Sequence, residues 1–203
     1  MAPTEQAVAG APSREDLDSA AQRERRKRIV DATLSLARKG GYEAVQMRAV
    51  AKKADVALGT LYRYFPSKIH LLVAGLVREF ESAQEKLDKS PIPGETPKER
   101  VLFVLERNTR MLQRAPLLTE AMVRAFMFAD ATAAAEVETV GRLLESMFAR
   151  AMGEDDPTPR ERDAFRLIAD VWMANLVAWV THRASATDVQ KRLEVTVDLV
   201  IDD

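Results

Sequence analysis

The chain has 203 residues, 47% of them hydrophobic and 6% aromatic, enough to build a sizeable core. It has no cysteine, which excludes disulfides and thiolate chemistry. No apolar run reaches the roughly 18 residues of a membrane-spanning helix, and the N-terminus lacks the pattern of a secretory signal, so a cytoplasmic protein is expected. The net charge of −1 hides an asymmetry: residues 22–68 hold 12 Lys/Arg against 4 Asp/Glu, while residues 69–203 hold 17 against 23. A surface that faces phosphates needs that kind of concentration.

Residues 1–20 are rich in Ala, Pro, Glu and Ser without periodicity and read as a mobile tail. A helix is expected from about Ala21 to Lys39, with Ile29, Ala32, Thr33 and Leu36 inward and the run Arg23, Arg25, Arg26, Lys27, Arg28 at its start. Gly40 and Gly41 close it, because glycine readily takes the left-handed conformation of a helix end. Met47, Val50, Ala51 and Ala54 then recur at i, i+3, i+4 and i+7, the mark of a helix with one buried face. Asp55-Val56-Ala57 breaks the run, with Val56 as an apolar turn residue. From Leu58, Leu61 and Phe65 share a face and leave Thr60, Tyr62, Arg63 and Tyr64 outside it. Pro66 ends this element, and Ser67 is an N-cap for the next. Two short helices joined by a tight turn, the second dense in groups that contact DNA, form a helix-turn-helix.

The segments IVDATLSLARKGGYEAV (29–45) and MRAVAKKADVALGTLYRYFPSK (47–68) resemble the DNA-binding domain of TetR-type transcriptional regulators. The resemblance implies roles by position. Gln46 and Arg48 would touch phosphate or a groove edge. Leu58, Gly59, Thr60, Tyr62, Arg63 and Tyr64 would lie on the recognition helix. Among them Arg63 suits a guanine edge, and Thr60 and Tyr62 suit phosphates. Lys68 would hold a phosphate at the start of the following helix, and Arg23, Arg25 and Arg26 would reach the minor groove or backbone. Gln46 stands where the family usually has Ser or Thr, and Ala57 where Ser is frequent.

A long helix should follow from Ser67 to about Lys89, ended by PIPGE at 91–95. Thr96-Pro97-Lys98-Glu99 and Thr158-Pro159-Arg160-Glu161 each place Thr at an N-cap, Pro at the first helical position and Glu where it completes a capping box. They open helices to about Arg114 and Arg183. Between them, Pro116 opens one to Phe128 and Asp130 caps one to Met152; GEDDP (153–157) is a loop, and Ser185 caps the last helix. No stretch alternates with period two. The expectation is an all-α chain of about nine helices, with a DNA-binding domain over 21–66 and a helical ligand-binding and dimerisation domain over 67–203.

The second domain is rich in flexible, polarizable methionine and in aromatics, which line adaptable pockets between helices. Its candidate pocket residues are Phe103, Met111, Met122, Phe126, Met127, Met147, Phe148, Trp172, Asn175, Leu176 and Trp179. Trp172, Asn175, Trp179 and His182 share one helical face, which could meet a pocket, a partner subunit or the core. Enzymatic chemistry is not expected: GxSxG, P-loop and GxGxxG are absent, and acidic pairs such as Asp155-Asp156 and Asp202-Asp203 sit in a loop and at the chain end. No cofactor is expected. His70 and His182 are too isolated to hold a metal.

The family resemblance implies a homodimer joined through the last two helices, bound to double-stranded operator DNA with an inverted repeat. Within the family the whole chain is most similar to actinobacterial repressors of cholesterol and steroid catabolism. This implies a hydrophobic effector such as a steroid–coenzyme A thioester that releases operator DNA on binding, with the helix from Ser67 to Lys89 as the lever between the two modules. A different hydrophobic effector (a fatty acyl-CoA or an exported drug) and a ligand-independent DNA-binding factor with a filled core are the alternatives.

Overall fold

The computed structural model describes residues 14–154 and 156–202. Residues 1–13 of the expected tail, Asp155 and Asp203 lie outside the described residues. Among these there are nine α-helices and no strand: α1 (Arg14–Ala44), α2 (Met47–Ala54), α3 (Leu58–Tyr64), α4 (Lys68–Asp88), α5 (Pro97–Gln113), α6 (Pro116–Met127), α7 (Ala134–Met152), α8 (Pro159–Val180) and α9 (Ala186–Val200). A 3-10 turn, Ala131–Ala133, precedes α7.

Helix α1 starts at Arg14, earlier than the expected Ala21. Its regular part stops at the two glycines, where Gly41 takes φ 63 and ψ −158. A side chain in that conformation is strained, so glycine is what allows the chain to swing into Tyr42 and α2. Ile29, Val30, Ala32, Thr33, Leu34 and Ala37 are buried; Thr33 returns its hydroxyl to the Ile29 carbonyl at 2.9 Å.

The later helices begin where their caps direct. Thr96 and Thr158 both form complete capping boxes with Glu99 and Glu161, and Ser185 forms one with Asp188. Asp130 accepts from the Thr132 amide at 2.9 Å and caps the 3-10 turn rather than α7 itself. Helix α8 ends at Val180, short of the expected Arg183. His182 adopts φ 58, and the Arg183 and Ala184 amides both bond to the Ala178 carbonyl. The helix is thus closed by a left-handed residue that is not glycine, and His182 leaves the face it was expected to share with Trp172.

Helices α1, α2 and α3 pack as one small cluster around Leu61 and Phe65. α4 runs from that cluster into the remaining helices, touching α1, α6 and α7, and α6 lies along α1 as well. At Gly75 of α4, a Cβ would stand 2.9 Å from Leu34 Cδ2; the missing side chain lets α4 close on α1. Arg38–Glu79 (2.6 Å) and Arg78–Asp31 (3.2 Å) tie the same two helices at the surface. α8 and α9 pair with each other on the far side.

The Thr158 box yields a prediction with a pH signature. Glu161 accepts from the Thr158 hydroxyl at 2.7 Å and amide at 2.6 Å, and these bonds hold its carboxyl below the usual carboxylate range. A depressed folded pKa contributes stability above the unfolded value, near 4, and that stability fades as pH falls through the folded value. Thr158→Ala should lower unfolding free energy by about 1 kcal/mol at pH 7. In denaturant titrations, the gap from wild type should narrow below about pH 4.

Candidate nucleic-acid interface and ligand cavity

The turn between α2 and α3 is built from short-range hydrogen bonds. Asp55 takes the left-handed conformation, φ 52 and ψ 58, and the Val56 amide bonds back to the Ala51 carbonyl at 3.0 Å. Val56 packs against the core, as do Met47 and Leu58. Val50, Ala51, Ala54, Leu61 and Phe65 are fully buried beneath them. Among the residues left outside are Gln46, Arg48, Gly59, Tyr62 and Arg63, with Thr60 and Tyr64 half-buried. Tyr64 packs on the core, and the Arg63 guanidinium stands 5.8 Å from its ring centroid. Neither Gln46 nor Ala57, the N-cap residues of α2 and α3, makes a side-chain capping bond. Arg23 and Arg26 are exposed and Arg25 half-buried on α1; Arg26 lies over the Phe65 ring at 5.3 Å. Lys52 and Lys53, which follow α2's apolar face and stood out by no motif, add two exposed cations.

Lys68 is half-buried. Ser67 caps α4 by accepting from the Ile69 amide at 3.2 Å, and the Lys68 ammonium sits 3.6 Å from the centroid of the Tyr42 ring. Arg124 of α6 approaches the same ring at 4.1 Å and pairs with Glu43 at 3.1 Å. Tyr42 is therefore held by one cation from α4 and one from α6. Burial lowers the Lys68 pKa from the ordinary lysine value; Arg124 adds to the effect, while Glu43 and Glu120 oppose it. His70, buried one turn on, stands 2.9 Å from Ser67 Oγ through Nδ1, and its Nε2 donates to the Thr132 carbonyl at 3.1 Å. The histidine is thus a strut between α4 and the turn before α7. Among the described residues no cluster of three His, Asp or Glu is placed to hold a metal.

An apolar cavity of about 290 Å³ lies between α4, α5, α6, α7 and α8. Its walls include Leu76, Phe80, Met122, Val123, Phe126, Val140, Leu144, Trp172, Met173 and Leu176. Phe80 and Trp172 meet edge to face at 5.8 Å. The buried polar groups here are already paired. Trp172 Nε1 donates to Thr109 Oγ1 at 2.9 Å, and the Thr119 hydroxyl donates to the Leu112 carbonyl at 2.6 Å. A wider groove of about 660 Å³ on the outer side of α7 is open and lined by charged residues such as Arg150, Glu154 and Arg162.

Of the expected pocket residues, Met122, Phe126, Trp172 and Leu176 line the cavity. The others do not. Met147 and Phe148 fill the core, the first accepting from Asn108 Nδ2 at 3.4 Å, the second against Phe165 at 5.7 Å. Met127, the last residue of α6, is exposed, and Phe103, Met111 and Trp179 are half-buried against the core. Asn175 is buried but turns away, donating to the Val171 carbonyl at 2.8 Å and accepting from Arg192 of α9 at 3.2 Å. Leu76, Phe80, Val140 and Leu144 were missed because their apolar periodicity marks a buried face without saying which part of it borders a void.

Residues 29–74 match the tetR family of bacterial regulatory proteins, and residues 94–200 match the tetracyclin repressor-like C-terminal domain. The chain belongs to the TetR family. It is similar to the HTH-type transcriptional repressor KstR of Rhodococcus jostii strain RHA1, with 63% identity over 93% of this chain and 88% of that protein. A TetR transcriptional regulator from Rhodococcus sp. RHA1 superposes with a TM-score of 0.84 at 34% identity, covering 90% of this chain and 98% of that one. Thermus thermophilus FadR, a TetR-family repressor solved with lauroyl-CoA, shares the fold: TM-score 0.60, 23% identity, 86% and 92% covered. No helix among the described residues is long and apolar enough to cross a membrane.

The Tyr42 contacts set an expectation for Lys68. Lys68→Ala should weaken binding to all duplexes alike and lower the slope of log affinity against log salt by about 1. Fluorescence anisotropy across a salt series on a specific and a random duplex checks both. An unchanged slope would remove Lys68 from the phosphate contacts.

Proposed function

We propose that this TetR-family chain is a dimeric repressor that grips inverted-repeat operator DNA through residues 21–66 and is released when a hydrophobic effector enters the body formed by residues 67–203. One observation carries the reading. The cavity wall on α6, with Met122, Val123 and Phe126, belongs to the helix that lies along α1 and supplies Arg124 to Tyr42. Anything that displaces that wall bears on the orientation of the helix-turn-helix. The α4 lever expected from the sequence is thus joined by α6 as a second connection.

On the DNA side, exposed Arg63 is the residue for a guanine edge, because its two parallel donors match that edge. Thr60, Tyr62, Gln46, Arg48 and Lys68 hold the backbone, and Arg23, Arg25 and Arg26 extend the basic surface along α1. The mostly apolar lining, with its buried polar groups already bonded, suits an effector whose inner portion is a ring system or acyl chain. The strong likeness to KstR repressors supports a cholesterol-derived coenzyme A thioester and a regulon of steroid breakdown. Fatty acyl-CoA, which occupies the FadR neighbour, is the second reading. An apolar cavity of about 290 Å³, in place of a filled core, weighs against a ligand-independent factor.

The dimer reading rests on α8 and α9. Leu167 on α8 and Val195 and Leu199 on α9 are exposed, the last by 78%, so both helices carry apolar groups available to a partner chain. In TetR-type regulators these helices form a four-helix interface. Val195→Glu with Leu199→Glu should convert the dimer to monomer in light scattering at micromolar concentration and abolish high-affinity operator binding. A dimer that persists would move the interface elsewhere.

For the activity itself, a mobility assay on an inverted-repeat operator is decisive. A steroid–coenzyme A thioester should lower operator affinity, whereas a fatty acyl-CoA should not. Arg63→Ala should cost about 1–3 kcal/mol on the operator and relax discrimination at one base pair. Release by acyl-CoA alone would establish the second reading in place of the first.

A further inference from the structure

Trp172 stands between two internal spaces. On one side is the apolar cavity, which it walls together with Phe80 and Leu176. On the other is a smaller recess of about 120 Å³ between α5 and α9. Leu105, Thr109 and Leu193 form the buried part of the recess, and Glu106 and Gln190 lie at its outer edge. A hydrogen bond crosses from one space to the other: Trp172 Nε1 donates to Thr109 Oγ1 at 2.9 Å. Along that line the two spaces are separated by side chains.

The indole is buried but lightly held. It has a single donor, and that donor goes to a neutral hydroxyl, a weaker partner than a charged group. Phe80 meets the ring edge to face at 5.8 Å, a contact that adds little beyond burial. The recess offers the same donor a second acceptor. Glu106 is half-buried there; its carboxylate accepts from Gln190 at 3.3 Å and pairs with Arg110 at 3.4 Å. Gln190 and Arg110 are exposed, so both contacts exchange readily. Glu106 precedes Thr109 by three residues on α5, which makes the two acceptors neighbours about 5 Å apart along the helix. An indole turned past Thr109 keeps its ring among Leu105 and Leu193 and finds a carboxylate for its N–H.

The cavity's size gives that movement a use. About 290 Å³ is near the low end for a small-molecule site, which spans roughly 300–1,000 Å³. Interiors are close-packed, so a ligand that exceeds the chamber must displace a wall rather than compress it. A wall moves most easily where there is space behind it, and Trp172 has the recess.

We propose that Trp172 is a displaceable end wall: a long effector turns its indole off Thr109 into the recess between α5 and α9, where Glu106 accepts the N–H, and takes the space the ring leaves. This inference rests on the reading of the cavity as the effector site. The ligand class it fits is an apolar ring system with an alkyl chain, longer than the resting chamber. A shorter ligand of the same kind leaves the indole in place. Trp172 thereby sets the length of ligand the chamber takes, and Thr109 sets how readily the wall moves.

The test uses the full-length protein and two steroid–coenzyme A thioesters that differ only in alkyl chain length. Its two tryptophans give two indole N–H signals in heteronuclear NMR, and Trp179→Phe identifies the one from Trp172. The long thioester should speed exchange of the Trp172 N–H with water, because the recess is open at Glu106 and Gln190; the short one should leave it slow. A fixed indole covered by ligand exchanges no faster with either. In calorimetry, Thr109→Val keeps the shape and removes the acceptor of the resting position. It should bind the long thioester about threefold to tenfold more tightly and the short one within about twofold of wild type. Leu193→Phe, which fills the recess, should weaken the long thioester at least about tenfold and leave the short one within about twofold. Exchange no faster with the long thioester than with the short one overturns the displaceable wall, as does undiminished affinity of Leu193→Phe for the long one. Should Leu193→Phe fail to fold, Thr109→Val decides in its place, and an unchanged affinity for the long thioester overturns the proposal. If wild type takes up neither thioester, the cavity reading itself fails and this inference with it.

Discussion

The molecule depends on a shared helix surface. α4 and α6 each use one face to hold α1 and another to wall the apolar cavity, so the helix-turn-helix cluster and the cavity share two supporting helices. The Tyr42 ring concentrates that dependence, with Lys68 of α4 at 3.6 Å and Arg124 of α6 at 4.1 Å. Cation–ring contacts contribute about 0.5–2 kcal/mol depending on desolvation, modest beside the apolar burial of Leu34 and Leu72 in the same region. Their value lies in direction. Each fixes where one helix end sits relative to the start of α2, something non-directional burial cannot specify.

Packed helices shift as units because interiors are close-packed and do not deform continuously. Gly75 brings α4 within touching distance of Leu34, so movement of α4 must carry α1 or break that contact. The His70 strut then ties the start of α4 to the Thr132 carbonyl, and through it to the turn that leads into α7, a cavity wall. The lining is reached from the helix-turn-helix by three routes: along α4, across α6, and through His70. Two-site coupling of this kind needs only that the ligand favour one arrangement over the other.

Much of this was legible in the chain. Caps and breakers carry their own local chemistry, so Thr96, Thr158, Ser185 and the Gly40-Gly41 pair located helix ends from a few residues each. The exception is instructive. His182 closes α8 in the left-handed region without glycine, and nothing local distinguishes it from a helical residue. The outward face of the helix-turn-helix was legible because a thin two-helix motif has only one inside; once Leu61 and Phe65 are buried, Arg63 and Tyr62 have nowhere else to point. The cavity was not. Met147 and Met122 look alike in sequence, and both are buried, yet one fills the core and the other borders a void. A void is a property of how five helices fail to fill space together, and no periodicity within one helix reports it. Asn175 was likewise recognisable as notable but not as a partner of Arg192, which lies on another helix.

The paired state of the cavity's polar groups has a further consequence for selectivity. Thr109, Thr119 and the Trp172 indole are bonded to protein, so an apolar ligand leaves nothing unsatisfied when it enters and a polar one gains no new partner inside. Such a chamber discriminates weakly between apolar shapes, at about 1–3 kcal/mol per misplaced methylene. Strong discrimination must come from groups that are paired with the right ligand and exposed to loss with the wrong one. Among the lining residues those are Arg166 and Asp170, at the rim.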